Sequence, residues 1–175
     1  MGTSTNVIRG RATVWFGAAG GTEFSTSTFT NVGYTTEGGF KLTVSRSGND
    51  IDVDQEDMPI DWERTKEDHK IGFTMAEVTI TNLARALGVA VDTSNTSLIT
   101  LYQDMAFAAI ALQAPGPPGS TTSQTTRTYL YQYVQPDGDV AISAGEKGKA
   151  QSIPCSFRYF KRITNLPEVT DADPE

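Results

Sequence analysis

Residues 40–54 read Phe40-Lys41-Leu42-Thr43-Val44-Ser45-Arg46-Ser47-Gly48-Asn49-Asp50-Ile51-Asp52-Val53-Asp54. Phe40, Leu42 and Val44 alternate with Lys41, Thr43 and Ser45, the period of a strand with one packed face and one wet face. Ser47-Gly48-Asn49 is turn chemistry. After it, Asp50, Asp52 and Asp54 alternate with Ile51 and Val53, so a second strand would place three carboxylates on one face, about 7 Å apart. The stretch therefore predicts a β-hairpin over Phe40–Asp54 and sets the fold class as mainly β.

Outward from the hairpin the same period recurs. Arg11–Phe16 is a short strand candidate, and Gly17–Asn31 is a Gly/Ser/Thr loop with little apolar content. Gln55–Lys70 is densely charged, contains Pro59 and reads as a long loop. Ile71, Phe73 and Met75 begin another strand. Ile80, Leu83, Ala84 and Leu87 are spaced i, i+3, i+4, i+7 and predict one short helix, with Thr79 as its N-cap and Gly88 just past its end. Ser97–Tyr102 and Met105–Ala114 read as strands, the second ending at Pro115. Residues 114–126 form a Pro/Gly/Ser/Thr loop too poor in apolar side chains to pack alone. Tyr129, Tyr131 and Tyr133 share one face of a further strand, Pro136-Asp137-Gly138 is a turn, and Gln151–Lys161 is a last strand with Cys155, Phe157 and Tyr159 on one face. The sum is a mainly β (α+β) domain over residues 9–163, a sandwich or partial barrel with one short helix. A flexible arm at residues 1–8 precedes it, and an acidic tail at 164–175, expected to be without structure, follows.

Composition excludes several functions. The chain has 175 residues, enough for a single core that buries roughly 70% of the unfolded surface. Its formal net charge of −7 disfavours binding to phosphates. It holds one cysteine, Cys155, so no intramolecular disulfide can form, which fits assembly in a reducing cytoplasm. The longest apolar run, Met105–Leu112, is far short of a membrane span, and Met1–Asn6 has no signal-peptide core.

No catalytic constellation is visible. His69, the one histidine, lies in Glu67-Asp68-His69-Lys70 and reads as an exposed loop residue. Cys155 lies inside a strand pattern, as a half-buried structural thiol would. Gly148-Lys149 resembles the end of a phosphate loop, but Ala150 stands where Ser or Thr is required. Too few His and Cys are present for zinc. Asp50, Asp52, Asp54, Glu56 and Asp61 are spaced like calcium-loop ligands, yet Gln55 stands where that loop needs glycine. No cofactor is expected.

Nine of the 21 acidic residues fall between Asp50 and Asp68. Two readings of this strip stay open. It is either a solvated sheet face or the wall of a passage that DNA slides along, since carboxylates offer phosphate no counterion release.

Three stretches carry a family resemblance: Gly38-Gly39-Phe40-Lys41-Leu42; Ile71-Gly72-Phe73-Thr74-Met75-Ala76-Glu77 running into Leu83-Ala84-Arg85-Ala86-Leu87-Gly88; and Ile153-Pro154-Cys155-Ser156-Phe157. In this order and spacing, from about residue 9 to 162, the sequence resembles the major tail tube proteins of long-tailed bacteriophages.

The resemblance implies a β-sandwich that assembles as homo-hexameric rings stacked into a tube, whose inner barrel is built from sheets of adjoining subunits. The implied partners are further copies of the chain, the tape measure protein, and the tail terminator and tail tip proteins. DNA would pass through without specific binding, with no membrane involved; the location is the virion tail, assembled in the host cytoplasm. The lumen-facing candidates are Asp50, Asp52, Asp54 and Lys41. The candidates for an inter-ring loop are Glu56, Asp57, Asp61, Glu63, Arg64, Lys66, Glu67, Asp68 and Lys70. A related contractile-tail or secretion tube fits the same residues, and a calcium-dependent β-sandwich module for glycans is the alternative from another class.

Overall fold

Ile71, Phe73 and Met75 are all buried, at 0%, 6% and 0% exposure, with the strand period between them. They organise the core of a computed structural model that describes residues 12–21, 23–51, 61–91, 98–101, 104–115, 126–141, 151–160 and 168–170; residues 37, 38, 61, 62 and 168–170 are described by backbone alone. The strands are β1 (Thr13–Ala18), β2 (Thr30–Asn31), β3 (Thr35–Ile51), β4 (Asp61–Met75), β5 (Ala108–Pro115), β6 (Thr126–Pro136), β7 (Ile153–Tyr159) and β8 (Glu168–Thr170), with one helix, α1 (Ile80–Leu87), between β4 and β5. They form one antiparallel sheet in the order β2-β1-β5-β6-β7-β4-β3, with β8 pairing β6. The fold is mainly β, as the alternation implies, and the sheet curls into a half-barrel.

The inner face of the curl closes on one core. Val14 and Phe16 from β1, Ile110 and Leu112 from β5, Tyr131 and Val134 from β6 and Ile153, Cys155 and Phe157 from β7 join the β4 residues there. Phe157 stacks on Phe73 at 5.8 Å, and Phe16 meets Phe157 edge-on at 5.3 Å, so rings from β1 touch rings from β4 and β7 across the curl. Gly39 has φ +63, and a Cβ there would stand 3.0 Å from that of Ala12, so the chain just before β1 closely approaches β3.

The helix follows its spacing. Thr79 caps it by accepting from Asn82 N, and Gly88 ends it at φ 68. Its buried residues are Asn82, Ala84 and Ala86, with Leu83 packed at the core's margin. Asn82, which no apolar pattern marks, is the key polar side chain: its Nδ2 donates to Val32 O and Glu77 O, both at 3.0 Å, tying the helix to the loop before β3. Arg85 lies over the Phe16 ring at 5.6 Å.

Six expectations are corrected. The turn expected at Ser47–Asn49 lies inside one continuous β3, and those residues instead border a β-bulge between Ser47 and Gly48, where Thr65 on β4 is the extra residue. β3 continues to Ile51 and β4 begins at Asp61; Asp52–Asp54 of the expected hairpin lie outside the described residues. The charged segment expected as a loop to Lys70 is, from Asp61 onward, the first half of β4. Ser97–Tyr102, expected as a strand, shows among its described residues only a single bridge, Val91 to Ile99. The Gly17–Asn31 loop carries Phe24 and Phe29, which with Trp15, Ala109, Ala111 and Leu130 make a second small core on the outer face. Tyr133 leaves the face of Tyr129 and Tyr131, because the pairing slips between Ala108 and Ile110, and it meets Phe107, whose ring in turn meets Phe160. The acidic tail also contributes β8, where Val169 pairs Tyr129. The arm at 1–8 and most of the loop at 114–126 lie outside the described residues.

Candidate functional site

β4 pairs β7 only from Lys70 to Met75, whereas its pairing with β3 continues down to Asp61 opposite Ile51. The lower parts of β3 and β4 therefore project past the rest of the sheet as a two-stranded arm, roughly 25 Å long at the usual strand rise. β3 ends the strand order, so its outer edge has no partner strand among the described residues. An isolated two-stranded ribbon is marginal in water, so the arm must be fixed by side chains.

Strand alternation gives the ribbon two distinct faces. Phe40, Leu42, Val44 and Arg46 continue the core face and pair with Phe73, Ile71, His69 and Glu67. Lys41, Thr43, Ser45 and Ser47 lie on the other face and pair with Gly72, Lys70, Asp68 and Lys66.

On the core face, apolar packing gives way to a polar cluster at the root of the arm. His69 Nε2–H donates to Glu67 Oε1 at 2.6 Å, and Arg46 Nε and Arg64 Nη1 both donate to Glu67 Oε2, at 2.9 and 2.6 Å. The His69 bond, then that from Arg46 and the charges of Arg46 and Arg64, hold the Glu67 carboxyl at about 2, against a smaller opposing effect of desolvation. His69 is not the exposed loop residue expected from the sequence. Its ring lies 5.9 Å from both Tyr131 and Tyr159, and Tyr131 Oη is 3.4 Å from Nδ1. Burial first, then the neighbouring Tyr129, Tyr159 and Glu67, push the Tyr131 phenol up to about 12.

On the opposite face the charges are paired across strands. Arg158 Nε on β7 donates to Asp68 Oδ1 at 2.7 Å, and Lys70 Nζ donates to Asp137 Oδ2, just past β6, at 2.7 Å.

The residues singled out from the sequence separate between these faces. Asp50 is exposed and opposite Trp62 on the core-side face of the arm, whereas Lys41 projects from the other face of the same strand, not from a partner strand. Arg64 and Glu67 share the Asp50 face; Glu63, Lys66, Asp68 and Lys70 share the Lys41 face. Asp61 is placed by its backbone, and Asp52, Asp54, Glu56 and Asp57 lie outside the described residues. Among the described residues no group of three or more His, Cys, Asp or Glu could hold a metal. Sequence reading missed Arg46, His69, Asp137 and Arg158 as structural charges. The signal for three of them was the Glu67-Asp68-His69 run, whose alternation sends Asp68 to one face and its two neighbours to the other. Cys155 is buried, its Sγ donates to Ile153 O, and burial pushes its thiol up to about 12.

No family model and no curated protein matches the chain. Among solved structures it is similar to a chain of the anti-feeding prophage baseplate, determined by cryo-electron microscopy with sixfold symmetrisation. The identity is 12%, 97% of each chain is covered and the TM-score is 0.52. The likeness is one of fold.

Proposed function

We propose that this chain is a structural subunit of a phage-tail-like particle, which assembles with copies of itself as stacked hexameric rings and forms a tube through which DNA passes. The observation that carries the reading is the long β3, an edge strand that continues into an arm beyond the body of the sheet. A monomer that leaves such an edge open invites pairing with another chain; a ring in which each subunit offers the edge to the next closes every contact. The likeness over nearly the whole length of a baseplate chain supports the same reading and leaves a contractile-tail or secretion tube as an equal form of it. The reading is of a structural protein, not an enzyme: the Cys155 thiol is buried and protonated, and His69 is engaged by Glu67.

Assembly would occur in the host cytoplasm, with the tape measure, terminator and tip proteins as the further partners. Sedimentation velocity of the purified full-length chain over a wide concentration range tests the reading. Concentration-dependent growth into large species supports it; a single monomer boundary throughout overturns it.

β3 offers two faces that could line the bore. Lys41 and Asp50 point to opposite sides of β3, so they do not both line it. Asp50→Lys together with Asp52→Lys and Asp54→Lys is expected to leave rings intact and to slow DNA delivery if the acidic side faces inward. Unchanged infectivity of assembled particles would instead assign the bore to the Lys41 face.

A further inference from the structure

The Lys41 face of β3, β4 and β7 is mostly polar, Ile51 and Pro154 aside, and it gathers several of the cations of a chain of net charge −7. Lys41, Lys66, Lys70 and Arg158 all project from it. An open array of this kind would ordinarily retain a polyanion by releasing its counterions. Here two of the four are held by carboxylates from other elements: Arg158 on β7 by Asp68 on β4, and Lys70 on β4 by Asp137 beyond β6, both at 2.7 Å. Neither pair is a neighbour along one strand, so each depends on the sheet being assembled. The hydrogen bond from the Lys70 ammonium keeps the Asp137 carboxyl below its usual range, so this acid is ionised at neutral pH. With Glu63, and Asp61 by its backbone register, on the same face, four cations meet four carboxylates.

We propose that Asp68 and Asp137 are masking residues, which occupy Arg158 and Lys70 so that this face sheds nucleic acid instead of holding it. A surface that must let a polyanion move along it needs its lysines and arginines already engaged, and surface ion pairs of modest strength are sufficient for that because they compete with equally exposed phosphate contacts. The proposal rests on the functional reading above, but it concerns the behaviour of the folded chain alone and is read without assembly.

The test compares the full-length protein with Asp68→Asn/Asp137→Asn, using a short DNA duplex as probe over a salt series. A control, Glu23→Gln/Asp104→Asn, changes net charge equally at two exposed positions elsewhere. The masking pair is expected to bind the duplex at least about tenfold more tightly than wild type at low salt, with a salt slope steeper by about 2, as two newly free cations would give; the control is expected to stay near wild type. Adding Lys70→Gln and Arg158→Gln to the masking pair is expected to return binding to the wild-type level. Equal binding by masking pair and control, or wild-type binding as tight as the masking pair, overturns the proposal. Should the double variant fail to fold, Asp137→Asn alone, at the exposed end of β6, carries the same comparison with an expected slope change of about 1. Polymerisation, read separately by sedimentation, distinguishes failure of this proposal from failure of the assembly reading.

Discussion

Glu67 Oε1 accepts from His69 Nε2 at 2.6 Å, and this contact sits at the point where the arm of β3 and β4 leaves the body of the sheet. The other oxygen of the same carboxylate takes both arginines of the ribbon. One acid thus ties β3 to β4 and, through the His69 ring, β4 to Tyr131 and Tyr159 on β6 and β7.

The arm should therefore be acid-sensitive. The His69 hydrogen bond, then that from Arg46, hold the folded Glu67 carboxyl at about 2, well below the ordinary carboxylate range. A depressed carboxylate contributes stability that is fully present above the unfolded value and is lost as pH falls through the folded one. Thermal melts between pH 5 and about 2 are expected to show a loss in wild type that is reduced in Glu67→Gln, which is already less stable at pH 7. An equal pH response in both proteins would remove Glu67 from this role.

Asn82→Ala removes the donor to Val32 O and Glu77 O and leaves the buried carbonyl of Val32 without its partner. Urea denaturation is expected to show a loss of about 1–3 kcal/mol. Leu83→Asp, at the margin of the core, is expected to abolish soluble folding. A normally folded Leu83→Asp protein would contradict the packing of α1.

The helix shows how far the sequence could be read. Of the expected stripe only Ala84 is fully buried, and the buried face also takes Asn82 and Ala86, whereas the helix's position, its Thr79 cap and its Gly88 terminus were legible because each is a local rule. So were the strands that contribute Ile71, Phe73, Cys155 and Phe157, since alternation appears wherever one face is buried. The arm was not legible for the complementary reason: from Glu63 to Glu67 both faces of the ribbon are exposed, so no apolar period exists and the charges looked like loop. The bulge beside Gly48 carried the same Ser-Gly-Asn chemistry as a turn, and only the register of a distant strand distinguishes the two. His69 could not be placed from its neighbours, because the rings that enclose it come from β6 and β7.

Gly88 has φ +68, and a Cβ there would lie 2.7 Å from Pro136 Cγ. Gly88→Ala therefore meets both backbone strain and a clash at the end of β6. A loss of more than about 1 kcal/mol in urea denaturation is expected; an unchanged midpoint would show that the helix end can shift.

Phe157, 1% exposed and stacked on Phe73, is the largest fully buried side chain among the described residues. Phe157→Ala is expected to cost about 3–5 kcal/mol. In the native protein the Cys155 thiol, raised to about 12 by burial, is expected to resist maleimide at pH 7 and to react on unfolding. Rapid labelling of the folded chain would place it at the surface.

Electron microscopy of the purified full-length protein, concentrated until sedimentation reaches a plateau, decides whether the open edge of β3 is a joining edge. Hollow rings or tubes with sixfold end views are expected. A uniform field of single 18.9 kDa particles at every concentration and salt would contradict it.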